Sequence, residues 1–114
     1  MDVVKTLRYK FVRYCVNKAY VDLNLEGVPA EVVNVLDDVV NQIRDLERHI
    51  VSFESAVRVF RADLPEKLKI LKERDPALAR AFIKNLVKYC LELEEVADSK
   101  LKDYLEELLS SFKD

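Results

Sequence analysis

Glycine is almost missing from this chain of 114 residues: Gly27 is the only one, beside three prolines (Pro29, Pro65, Pro76), two cysteines, one histidine and no tryptophan. So few turn-forming residues leave little room for the tight reversals of a β-sheet, and helices are the economical alternative. The same shortage excludes glycine-rich loops that cradle phosphate or form an oxyanion hole. A single histidine, His49, rules out a histidine-rich metal centre, and Cys15 and Cys90 do not match zinc spacings. No metal, cofactor or catalytic residues are therefore expected.

Long apolar runs are also lacking. The first sixteen residues mix Lys5, Arg8, Lys10 and Arg13 with apolar side chains, unlike a signal peptide, and no later stretch has the length of uncharged sequence that a membrane span needs. A soluble, cytoplasmic protein away from membranes is the expectation. In that compartment Cys15 and Cys90 read as reduced, buried thiols. Abundant Glu, Lys, Arg and Val beside one Gln and one Met resembles proteins from hot environments, where internal disulfides do form, so a bridge between the two stays open.

What is present is helical periodicity. Half of the residues are hydrophobic and 35% are charged, the balance of one folded domain over residues 1–114. Val4, Leu7, Phe11, Tyr14 and Cys15 recur at helical spacing and predict a first helix over residues 3–21. Asn24, Gly27 and Pro29 mark a connection, with Pro29 at or just before the next helix. Val32, Leu36, Val39, Ile43, Leu46, Ile50, Phe53, Val57 and Phe60 then follow one another at spacings alternating between four and three. That heptad seam predicts one unbroken rod of roughly 43 Å over residues 32–60. A rod of this length must pack on several helices of its own chain or on a second copy, and residues 36–60 of the seam (Leu36, Val39, Ile43, Leu46, Ile50, Phe53, Val57, Phe60) are the expected oligomer interface, a dimer first.

Beyond the rod, Asp63, Pro65 and Glu66 read as a stop followed by a capped start, with a short helix to Arg74. Asp75 and Pro76 repeat the device before a second seam through Ala79, Ile83, Leu86, Cys90, Leu93 and Ala97. Asp98 and Ser99 are candidate caps for a last helix bearing Leu101, Leu105, Leu108 and Phe112, and residues 76–112 run as one helix or two. The fold class predicted is all-α: a bundle or long hairpin of four to five helices with coiled-coil-like packing. Residues 11–16 and 86–91 are also alike in residue type at each position, which similar helix neighbours explain as well as duplication does.

Net charge is −2, but unevenly spread: residues 1–21 and 67–88 are basic, and the C-terminal stretch is acidic. Lys5, Lys10 and Arg13, with Arg80, Lys84 and Lys88 on one helical ridge, are the expected contacts to a nucleic acid or another partner, with Tyr9, Tyr14 or Tyr20 available to stack on bases. Salt-bridged helix surfaces offer a plainer account of the same charges.

Arg44-Asp45-Leu46-Glu47-Arg48-His49 resembles the Arg-x4-His motif of the HEPN family of helical-bundle ribonucleases, which implies RNA cleavage at a dimer cleft. In that family the motif lies near the start of a late helix. Here it falls midway along the longest predicted one, where five residues amount to roughly 140° of rotation and the two side chains diverge. Solvated flank positions, with Asp45 facing His49 a turn later, are the preferred reading. In size and helicity the chain also looks like small accessory subunits such as the arcadins encoded beside the archaeal actin-like protein. The function expected is thus non-catalytic: a helical scaffold or accessory protein that self-associates through 32–60 and binds a larger protein. Nucleic-acid binding and a HEPN-like ribonuclease are the alternatives.

Overall fold

The computed structural model describes residues 11–112, apart from the Glu95 side chain. Lys5, Lys10, Tyr9 and the first part of the expected helix one lie outside them. The described residues form an all-α bundle built from α1 (Val12–Val21), α2 (Ala30–Asp45), α3 (Phe53–Arg58), α4 (Leu64–Arg74), α5 (Pro76–Leu91), α6 (Glu94–Ala97) and α7 (Leu101–Ser111). Five of these reach ten residues or more. Helix α5 lies at the centre, packed against α1, α4, α6 and α7, while α2 rests on α1 and α4.

The expected unbroken rod does not form. Helix α2 ends at Asp45, a 3₁₀ turn covers Leu46–His49, and Ile50 turns extended before α3 begins. Two serines provide the physical reason. Ser52, extended at φ −158° and ψ 171°, caps α3 by accepting from Ser55 N at 3.2 Å. The Ser55 hydroxyl accepts from Val51 N and Ser52 N, both at 2.9 Å, so a reciprocal capping box satisfies the backbone that the break strips of helical partners. Ser55 is 7% exposed and is the one buried polar residue among the described residues.

The break turns the seam inward within one chain. Leu36, Val39, Ile43 and Ile50 have no exposure at all, and Leu46 and Phe60 are buried, whereas Phe53 is exposed and Val57 half-buried. Six of the eight expected interface residues are therefore buried against other residues of the same chain. The heptad spacing is real; its partners are the chain's own helices. A radius of gyration of 13.7 Å agrees with the roughly 13 Å of a compact chain of this length.

Nor does the chain stop at Asp63. Helix α3 runs through a π-turn, Val59–Asp63, directly into α4, and Asp63 stays helical with no side-chain cap. Pro65 accounts for the wider turn: it lacks an N–H, and its ring would strike the carbonyl four residues back in a regular α-helix. The π register moves that carbonyl away without ending the helix. The second device does act as a cap: Asp75 Oδ1 accepts from Leu78 N at 3.1 Å, with Pro76 in the first turn of α5.

Helix α5 stops at Leu91, short of the expected Ala97, so residues 76–112 form separate helices. Glu92 and Glu94 bracket the break. Acidic side chains are unfavourable at the negative end of one helix macrodipole and favourable at the positive start of the next, so this sequence divides there without glycine or proline. Ser99 then closes the last connection, its Oγ accepting from Leu101 N at 3.1 Å and donating to Val96 O at 2.8 Å.

Candidate functional site

Helices α1 and α5 form one face because each presents a narrow apolar stripe to the other. Val12, Cys15, Val16 and Ala19 of α1 and Leu86, Val87 and Cys90 of α5 are all buried. Two polar contacts fix the register of this pair: Asn85 Nδ2 donates to Ala19 O at 3.3 Å, and Tyr89 Oη donates to Asp22 Oδ2 at 2.9 Å.

That packing brings one cation from each basic segment, Lys18 and Lys88, together around Tyr89. Arg13 and Lys18 of α1 and Lys84 and Lys88 of α5 are exposed, with Arg80 half-buried at the head of the ridge. Tyrosines interleave with them. Lys18 Nζ lies 5.2 Å from the Tyr14 ring centre and 5.7 Å from that of Tyr89, while Lys88 Nζ approaches the Tyr89 ring at 5.1 Å. Tyr14 is 48% exposed, and a shallow hollow of about 290 Å³ opens beside Tyr89, lined also by Asn17, Lys18, Val21 and Asp22. Its hydrogen bond to Asp22 raises the Tyr89 phenol above its ordinary pKa, so it remains a neutral donor.

The arrangement can bind carboxylates or other anions by charge and offers Val21, 82% exposed, as an apolar anchor. Of the expected contact residues, Lys88 and Tyr14 lie in this cluster, Lys84 is exposed one turn before Lys88, and Arg13 has its backbone N–H on Glu47 Oε1 at 3.2 Å, towards the 3₁₀ turn; the expectation overlooked Tyr89 and gave Lys18 no contact role. The signal was present in the likeness of Arg13-Tyr14 to Lys88-Tyr89. Tyr20 is not available for stacking: it is half-buried, and its Oη donates to Asp37 Oδ1 at 2.6 Å.

Arg44 and His49 occupy different surroundings. Arg44 is half-buried in the last turn of α2 near Tyr20, its Nε buried without a hydrogen-bond partner among the described residues, and His49 is exposed at the end of the 3₁₀ turn. Among the described residues no group of three or more His, Cys, Asp or Glu is placed to hold a metal ion, and no helix is long and apolar enough to cross a membrane.

The chain matches no protein-family profile, and neither curated proteins nor solved structures give it a significant match.

Proposed function

We propose that this protein is a non-catalytic helical recognition module that docks a larger acidic protein through the α1–α5 face, in an aqueous intracellular setting. The observation behind this reading is the meeting of Lys18 and Lys88, far apart in sequence, around Tyr14 and Tyr89. Self-association through residues 32–60 is not part of it, because that seam is largely core.

A protein partner is favoured over nucleic acid by the state of the rings. Bases need open aromatic faces to stack on, but Lys18 and Lys88 already lie against these rings. Asp22 and the nearby Glu92 would repel a phosphate backbone passing Tyr89, whereas discrete carboxylates can avoid them. Exposed ion pairs contribute only about 0.2–1 kcal/mol each, so a few surface cations alone leave the contact weaker than about millimolar. Useful affinity requires an apolar side chain of the partner in the hollow beside Val21.

The test suits weak binding. Titrating the ¹⁵N-labelled protein with a glutamate-rich peptide carrying one leucine should shift amides of residues 13–22 and 84–89, less so as salt rises, and not at all in Lys18→Glu/Lys88→Glu. Tighter binding of oligo(dT) at the same amides would replace this reading with the nucleic-acid one. Shifts elsewhere would end both.

A further inference from the structure

We propose that Cys15 and Cys90 are a dithiol pair that a small-molecule disulfide, such as oxidised glutathione, converts to an internal disulfide tying α1 to α5. This goes beyond the binding face, which lies on the outer side of the same two helices. Both side chains are free thiols with no exposure, on the surfaces that α1 and α5 turn towards each other. They meet inside that interface, where proximity to Cys15 adds to burial in raising the Cys90 thiol above its ordinary pKa. The contact of Asn85, five residues before Cys90, with Ala19, four residues after Cys15, sets a helix register in which the two cysteines oppose each other, and Tyr89 to Asp22 adds a second tie on the same side. Thiols buried between two packed helices can reach the ~2.05 Å of a disulfide by side-chain rotation, without separating the helices.

The exchange balances in two steps. One cysteine loses its proton and attacks the reagent disulfide, giving a mixed disulfide and releasing one glutathione thiolate, which takes up a proton. The second cysteine then attacks the protein sulfur of that mixed disulfide, loses its own proton and releases the second glutathione. Two electrons pass from the cysteine pair to the reagent, and the protein loses two hydrogens.

Burial controls when this happens. Desolvation first, and the contact with Cys15 second, push the Cys90 thiol well above its ordinary pKa, so in the folded chain it is scarcely thiolate and is shielded from glutathione. Oxidation therefore belongs to the folding chain, before α1 closes on α5, and once made the bridge is protected from reduction. Bridging these positions closes a loop of some 75 residues, long enough for a large loss of unfolded-state freedom.

The experiment refolds the reduced full-length protein from denaturant in a mixture of oxidised and reduced glutathione, then alkylates any remaining thiols. The expected product is a monomer about 2 Da lighter with neither cysteine alkylated, melting roughly 10 °C above the reduced form. Cys15→Ala and Cys90→Ala, each compared with itself because loss of a buried sulfur lowers stability on its own, should melt alike with and without the oxidant. Recovery of two alkylated or glutathionylated cysteines, a disulfide between two chains, or a bridged monomer that melts no higher than the reduced one would overturn the proposal.

Discussion

At Tyr20 the phenol joins α1 to α2 by donating to Asp37 at 2.6 Å. That hydrogen bond, followed by burial, raises the phenol's pKa above 10.0, because only the neutral form can donate and a phenolate would face a carboxylate. The sign follows. A folded-state value above the unfolded one gives stability fully present below pH 10 and lost as the pH climbs through the raised value. Tyr20→Phe should cost about 1 kcal/mol at neutral pH, and urea unfolding at increasing alkalinity should show that gap closing as the wild type loses its advantage. A constant gap would assign the loss to packing instead. Nothing in the sequence exposed this role: Tyr20 reads as an aromatic beside basic residues, and its partner is seventeen positions away on another helix.

Between α2 and α3 the sequence was legible but outvoted. Ser52-x-x-Ser55 has capping-box spacing, yet it sits inside an apolar pattern that keeps strict helical rhythm across it. Ile50 satisfies that rhythm equally well from a turn, since burial rewards position and not backbone conformation. The opposite error occurs at Asp63, where a convincing stop signal is overridden because a π-turn accommodates Pro65 and leaves Phe60, Leu64 and Leu68 buried on one continuous face. Asp75-Pro76 behaved as written, having the extended N-cap that Asp63 lacks. Ser55 should therefore outweigh its size. Ser55→Ala removes the acceptor from Val51 N and Ser52 N in a nearly water-free site, and chemical denaturation should register a loss of about 1–2 kcal/mol. A neutral result would show that the apolar residues alone set the break.

For the molecule as a whole, the all-α class and the presence of five helices of ten residues or more among the described residues were readable, because periodicity and the scarcity of glycine constrain both, whereas the breaks that add two shorter helices were not. Which helices meet was not readable either, so the meeting of cations from the two basic segments across α1 and α5 could be suspected but not placed. The same gap explains the seam: a heptad pattern states that a stripe is buried and is silent on whether the burying helix belongs to the same chain. Here it does, which separates two outcomes experimentally. Light scattering should give the wild type as a monomer. Ile43→Asp places a carboxylate at a site with no exposure, at a cost of several kcal/mol against a total stability of about 5–15 kcal/mol. The variant should lose helical circular dichroism and expand towards the roughly 34 Å radius of an unfolded chain. Phe53→Asp, on the same heptad but 36% exposed, should stay folded and lose no more than about 1 kcal/mol. A wild-type dimer that Ile43→Asp converts into a folded, helical monomer would reverse this assignment and restore the seam as a contact between copies.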